Sequence, residues 1–334
     1  MFYFWQKHPA MQTLAQYQDA FLAHLETKKI SKDPLNLYTP IDYIMKLGGK
    51  RLRPVLALMG CEAYGGTLQQ AMPVATAIEI FHNFSLVHDD IMDKAPLRRG
   101  AVTVHEKWDI NTGILSGDAM LIMAYQSLEE YEPSLYKALN QLFSKTALEV
   151  CEGQQWDVDF EQMDQVPEAA YLKMISQKTA VLVAGALKMG AMVAGASLAE
   201  QEKMYAFGLQ LGIAFQVQDD YLDAFGDPKT FGKTVGGDII NNKKTLLFIK
   251  ALEMGTTAEQ KALTDLFSLS PKDPTSKITA VKDIFNSSGA ATHIRAQIAH
   301  YTQEAFSVLE TMEVSEPNKA VLKDFGLWLM KRSV

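Results

Sequence analysis

Phe84-Ser85-Leu86-Val87-His88-Asp89-Asp90-Ile91-Met92-Asp93 closes a pattern, begun near Met72, in which apolar residues recur at three- and four-residue steps. That period belongs to a helix with one buried face. Leu14, Tyr17, Phe21 and Leu25 repeat it, as do the stretches 41–64, 113–130, 135–160 and 204–225. Alternating, strand-like runs are hard to find. Breakers gather at Gly65-Gly66, Lys94-Ala95-Pro96, Glu132-Pro133, Gly226-Asp227-Pro228 and Ser270-Pro271, and predict loops between helices. No linker-like tract divides the 334 residues, so the expectation is a single all-α domain spanning 1–334.

The carboxylates that end the quoted stretch have a counterpart far along the chain. Asp219-Asp220-Tyr221-Leu222-Asp223 repeats the form DDxxD and follows the apolar Ile213-Ala214-Phe215. On a helix, residues i and i+4 are neighbours, so Asp89 shares a face with Asp93, and Asp219 with Asp223. Two carboxylates about 5.5 Å apart repel by roughly 3 kcal/mol at an effective dielectric of about 20. A hard divalent cation relieves that repulsion, and Mg²⁺ characteristically takes one or two carboxylates together with substrate phosphates. Two such pairs facing one another are suited to holding a diphosphate through shared metal ions.

Basic residues complete the pattern. Gly48-Gly49-Lys50-Arg51-Leu52-Arg53-Pro54 sets three cations in an apolar helical context and reads as a fixed anion site. Arg98 and Arg99 follow the first acidic motif; guanidinium forks bind phosphate oxygens bidentately, so the two suit two different diphosphates. Lys178-Thr179, Lys233 and Lys243-Lys244 are further candidate phosphate ligands. The stretch 226–234 superficially resembles a P-loop, but five residues separate its glycines where that motif has four, and it follows a helix rather than a strand, so nucleoside triphosphate binding is rejected.

Composition narrows the partners. The chain is 48% hydrophobic and 21% charged with net charge −7, which argues against nucleic acid and leaves anion capture to local cations or bound metal. Cys61 and Cys151 show neither a disulfide framework nor zinc spacing, and they point to a reducing compartment, read as cytoplasmic. The stretch 180–199 has the length of a membrane span, but Lys188 near its middle costs about 2.5–3.5 kcal/mol on insertion, so it is read as a buried helix and no transmembrane segment is expected. The aromatic start, Met1 to Trp5, lacks the basic and long apolar parts of a signal peptide.

Taken in order, GGKRLRP, DDxxD with Arg98-Arg99-Gly100, Lys178-Thr179, Phe215-Gln216-Val217-Gln218-Asp219-Asp220-Tyr221-Leu222-Asp223 and Gly232-Lys233 resemble the trans-isoprenyl diphosphate synthases, the polyprenyl synthetase family that includes farnesyl and geranylgeranyl diphosphate synthases. The resemblance runs from about Lys46 to Lys244. It implies an isoprenoid-synthase fold, an all-α bundle around a deep central cavity, usually a homodimer. It further implies condensation of isopentenyl diphosphate with allylic diphosphates (DMAPP, GPP, FPP), head to tail through an allylic carbocation, with Mg²⁺ as cofactor, three ions accompanying bound diphosphate. Carried over by position, Asp89, Asp93 and Asp219 would ligate the metal, supported by Asp90 and Asp223. Arg98, Lys178, Lys233 and Lys243 would hold the allylic diphosphate. Lys50, Arg53, His82 and Arg99 would hold isopentenyl diphosphate, and Thr179 and Gln216 would face the reacting carbons.

Product length is expected to be set on the helix of the first motif. Ser85, Phe84 and Phe81 stand four, five and eight residues before Asp89, where short-chain family members carry bulky aromatics. Phe84 as a floor beside the small Ser85 resembles geranylgeranyl (C20) synthases, with farnesyl (C15) the next choice. Two rivals remain in view. A terpene cyclase would generally replace the second DDxxD and lack GGKRLRP; a catalytically silent partner subunit would tend to lose an acidic motif, and this chain keeps both.

Overall fold

The helical periods become helices in the computed structural model, which describes residues 11–28, 30–227 and 235–331. In chain order these are α1 (Leu14–Thr27), α2 (Leu35–Lys46), α3 (Leu52–Ala63), α4 (Leu68–Met92), α5 (Val104–Lys107), α6 (Ile110–Ser127), α7 (Pro133–Gln162), α8 (Glu168–Ile175), α9 (Val181–Val193) and α10 (Leu198–Phe225). After the second acidic motif come α11 (Gly237–Ile240), α12 (Leu246–Met254), α13 (Thr257–Phe267), α14 (Thr275–Ser287), α15 (Ala290–Glu310) and α16 (Glu316–Met330). Local chemistry fixes many of the starts. Thr13, Thr67 and Thr256 each form a reciprocal capping box with the Gln or Glu three residues on, satisfying two otherwise orphaned donors. Pro133 opens α7, where its missing N–H costs nothing.

Two features depart from the sequence reading. The stretch 41–64 is two helices, because Gly48, Gly49 and Arg51 all take positive φ (75°, 112° and 46°) and turn the chain between α2 and α3. Strand is present after all, as a minimal hairpin: β1 (Leu97–Arg98) pairs antiparallel with β2 (Ala101–Val102), with Arg98 opposite Ala101. Between α8 and α9 lies a π-helical turn, Ser176–Ala180.

The described residues pack as two compact units. The first lies within Met1–Ala147, Gly185–Tyr205 and Met312–Leu322; the second within Leu148–Ala184, Ala206–Thr311 and Lys323–Val334. In the first, α4 is gripped by α3 and α6. Its Ile78 and Phe81 are buried with Leu58 and Met120, each such side chain contributing about 1.5–3 kcal/mol. Small residues let backbones touch there: a Cβ on Gly60 would stand 2.2 Å from the carbonyl oxygen of Leu187, and one on Gly190 2.1 Å from that of Ala57. In the second unit Ile175, Val217, Leu222, Leu246, Val281 and Phe285 form the core.

Among the described residues no helix is long and apolar enough to cross a membrane. The suspect stretch contains α9, and Lys188 ends 2.5 Å from Glu202. Both cysteines are free, Cys61 buried and Cys151 exposed.

Candidate active site

In the first unit, the α-helical turn carries through the acidic motif, with Asp93 donating its N–H to the Asp89 carbonyl at 2.8 Å. Asp89 is half-buried and Asp93 exposed on the shared face, while Asp90 is 1% exposed. Arg98 reaches back from β1: its Nε donates to both Asp90 oxygens at 2.7 and 2.9 Å, and its Nη2 lies 2.6 Å from Asp90 Oδ1 and 3.6 Å from Asp89 Oδ2. Burial pushes the Asp90 carboxyl above the usual range although Arg98 pulls it back.

Arg98 and Arg99 part company because of the hairpin. Arg99 and Gly100 are its two turn residues with φ of 54° and 77°, the left-handed pair that a tight two-residue turn demands. Arg99 therefore leaves the acidic motif and donates to the Gly48 carbonyl. A Cβ on Gly49 would stand 2.8 Å from the Arg99 guanidinium, and its φ of 112° is one that only glycine takes readily.

His82 sits where these cations converge, its Nε2 3.0 Å from Arg53 Nη1. Burial, then Arg53, Arg99, Arg98 and Arg51, hold its pKa well below the ordinary value. The ring is neutral at pH 7; since Arg53 can only donate, Nε2 accepts and the proton is on Nδ1. Lys50 is exposed, and its main-chain carbonyl accepts from Gln18 at 2.6 Å. The middle cation of GGKRLRP behaves differently from its neighbours. Arg51 is buried, donating to Glu79 and to the Met45 carbonyl, while Asn83 Nδ2 also donates to Glu79 at 2.9 Å. Phe81, Phe84 and Ser85 lie farther back on α4. The Phe81 ring lies 5.5 Å from Phe84 and 5.4 Å from Phe143, and Ser85 donates to the His82 carbonyl.

The second unit holds a cavity of about 200 Å³ around the other acidic motif. Asp219, Asp220, Asp223, Gln216, Lys178, Thr179 and Lys243 all line it; Lys233 lies outside the described residues. A hydrogen-bonded chain runs through it: Thr179 Oγ1 donates to Gln216 Oε1 at 2.9 Å, Gln216 Nε2 donates to Asp220 Oδ1 at 3.0 Å, and Tyr171 donates to Asp220 Oδ2. Burial first, then Asp238 and Asp219, push the Asp220 carboxyl upward, against the pull of Tyr171 and Gln216. Lys178 pairs with Asp157 at 2.5 Å. Asp223 receives the Asp238 N–H on Oδ2 at 2.9 Å, which fixes the start of α11.

The backbone geometry behind Lys178 and Thr179 depends on two glycines. A Cβ on Gly153 of α7 would come within 2.2 Å of Lys178 N, and one on Gly212 of α10 within 2.7 Å of Ala180 Cα. The π-helical turn is seated between these bare backbones, a form often found at functional positions.

Tyr171, Asp157, Asp238 and Glu79 were not singled out by sequence. None belongs to a spaced motif; each is defined by its tertiary partner. In both acidic motifs the middle aspartate is bonded within the protein, Asp90 to Arg98 and Asp220 to Tyr171 and Gln216. The first unit also contains a buried oxygen, Asp89 Oδ1, with no hydrogen-bond partner. Around the cavity of the second unit, Asp157, Glu161, Asp219, Asp220, Asp223 and Asp238 outnumber Lys178, Lys243 and Lys244, leaving an excess of negative charge. Among the described residues no three metal-ligating side chains gather at one point. That donor set fits a hard divalent cation that takes one or two carboxylates here and completes its shell with phosphate oxygens and water.

The whole chain has close relatives. The polyprenyl synthetase family profile matches residues 34–285. A geranylgeranyl diphosphate synthase from Methanosarcina mazei is 35% identical over 90% of this chain and 90% of its own length. A crystal structure of a geranylgeranyl pyrophosphate synthase superposes with a TM-score of 0.94 at 51% identity, covering 97% of this chain and 100% of that one. A polyprenyl synthase from Caulobacter crescentus CB15, crystallised with calcium and isoprenyl diphosphate, gives 0.84 at 26% identity over 96% and 97%. The helical order, the two acidic motifs in their bonded settings and the extent of these matches agree: the chain belongs to the polyprenyl synthetase family.

Proposed function

We propose that the protein is a short-chain trans-prenyltransferase that condenses isopentenyl diphosphate with an allylic diphosphate and releases diphosphate, with geranylgeranyl diphosphate as its main product and farnesyl diphosphate the nearest alternative. The observation that carries this reading is the division of labour in the first acidic motif. Asp90 is bonded to Arg98, while Asp89 keeps a buried oxygen without a partner, suited to a cation. Family membership and the geranylgeranyl synthases among the relatives supply the reaction class.

In this reading Asp89, Asp93 and Asp219, supported by Asp223, hold Mg²⁺, three ions when diphosphate is bound. The ions, when bound, neutralise charge that develops on the leaving diphosphate. The protein's own residues do the rest. Arg98, aligned by Asp90, and Lys178, aligned by Asp157, grip the allylic diphosphate together with Lys243 and Lys233. As the allylic C–O bond breaks, the Thr179 and Gln216 oxygens face the cationic carbons; Gln216 is held in register by Asp220, itself anchored by Tyr171. Lys50, Arg53, Arg99 and neutral His82 orient isopentenyl diphosphate, whose double bond forms the new C–C bond. The proton then lost restores a double bond and passes to the departing diphosphate.

Phe84, backed by Phe81 and Phe143, ends the path of the growing tail. Exposed Ile114, Leu115 and Ile122 on α6 suit association with a second copy, and two free cysteines suit the cytoplasm.

Purified protein with Mg²⁺, isopentenyl diphosphate and each of the C5, C10 and C15 starters tests the reading by mass spectrometry of the products. Elongated prenyl diphosphates are expected, with turnover falling by orders of magnitude in Asp89→Ala. No elongation from any starter, or near-normal product from Asp89→Ala, overturns it.

A further inference from the structure

Lys277, on α14, is a buried cation with neutral hydrogen-bond acceptors. Its residue is 2% exposed, and its ammonium donates to Asn242 Oδ1 and, at 2.9 Å, to the Leu269 carbonyl, with the Phe267 ring 5.6 Å away. Burial draws its pKa down. An ammonium enclosed without a carboxylate is costly to keep, so its bonds call for a role.

The partner suggests one. Asn242, just past the end of α11, has φ of 56°, a left-handed turn that asparagine takes more readily than other non-glycine residues and that its side-chain bonds hold in place. Its amide nitrogen is also 3.4 Å from the Leu269 carbonyl, so both ends of the side chain are engaged by the same corner of the fold. Directly after it come Lys243 and Lys244, which line the cavity of the second acidic motif. The Lys244 ammonium donates to the carbonyls of Phe160 and Glu161, each at 3.2 Å, at the end of α7 where a cation is favoured. The other end of the segment also rests on α14: a Cβ on Gly236 would stand 3.0 Å from Ile278. The turn bearing Lys243 is thus clamped by Lys244 on one side and Lys277 on the other.

We propose that Lys277 is a positioning residue that locks Asn242 in its left-handed conformation and thereby sets the direction in which Lys243 enters the diphosphate cavity. This rests on the reading of Lys243 as a ligand of the allylic diphosphate.

Lys277→Met keeps the unbranched stem, one atom shorter, and removes its donors; Asn242→Gly keeps the left-handed backbone and removes the amide. Each is expected to raise KM for the allylic diphosphate about tenfold, the scale expected when a charge-assisted bond is misdirected by roughly 1 Å. KM for isopentenyl diphosphate should not change, and the double variant should be no worse than either single one. Calorimetric titration with inorganic diphosphate and Mg²⁺ reads the cavity without turnover and should show a matching loss of affinity. Unchanged allylic KM and diphosphate affinity in both variants, or parallel changes in both substrates' KM with a lowered melting temperature, overturn the proposal. If Lys277→Met does not fold, Asn242→Gly alone decides between those outcomes. Wild-type protein that binds diphosphate but elongates no starter refutes the proposed reaction while leaving the calorimetric comparison decisive; wild-type protein that binds none refutes both.

Discussion

Glu79→Ala removes the carboxylate that faces Arg51, and the structure sets the scale of the damage. The two side chains are 1% and 3% exposed, so water does not take the vacated place. Arg51 would retain the Met45 carbonyl as acceptor, its Nε already being buried without one. Asn83 would lose its 2.9 Å bond to the carboxylate but keep the 2.8 Å bond to the Glu79 main chain. Stranding one charge of a buried pair costs about 3–5 kcal/mol. Arg51 also holds φ at 46°, a conformation that costs a non-glycine residue about 1–2 kcal/mol and that the ion pair helps to enforce. A loss of about 4 kcal/mol is therefore expected in urea unfolding, followed by both circular dichroism and tryptophan fluorescence so that coincident transitions license the extrapolation. The paired replacement Arg51→Met with Glu79→Leu should recover most of that loss, because apolar groups in place of both charges are often neutral or better. Glu79→Ala within about 1 kcal/mol of wild type, or a double variant no better than the single one, would refute the buried-pair account.

Two further outcomes are expected. Phe84→Ala should lengthen the product by opening the space behind the ring that packs on Phe81, and an unchanged chain-length distribution by mass spectrometry would remove Phe84 as the floor. His82 should make stability fall as pH drops below about 6.5: the unfolded chain takes up a proton there that the folded site, with its depressed pKa, refuses, at about 1.4 kcal/mol per pH unit until the folded ring titrates. His82→Gln should flatten that part of the melting-temperature profile, and identical slopes in both proteins would contradict the assignment.

What the sequence disclosed and what it withheld follow from the range of each interaction. The helices α4 and α10 were legible because a 3.6-residue period and a DDxxD spacing are local, and the cavity residues Lys178, Thr179, Gln216 and Asp219 came from motifs of fixed order. The break between α2 and α3 was signalled by Gly48-Gly49, but the apolar period ran across it. A hairpin of two-residue strands is too short to show any period, so the separation of Arg98 from Arg99 was invisible in their adjacency. Glu79, Tyr171 and Asp157 carry no spacing signal, since each acquires meaning only from a side chain distant in sequence. The same holds for Arg51, whose neighbours in the basic cluster suggested a ligand contact where the fold has a buried pair.

The π-helical turn at Ser176–Ala180 carries a consequence for comparing this chain with its relatives. A turn of this kind accommodates an extra residue, and one residue of α-helix is about 100° of rotation, so α8 and α9 are out of phase across it. Shortening the turn by one residue would yield an unbroken spiral of ordinary pitch, with the apolar face of one flank swung away from its seat. An alignment gap at this point therefore marks a change in which side chains look toward the cavity of the second acidic motif, even where every neighbouring letter is the same.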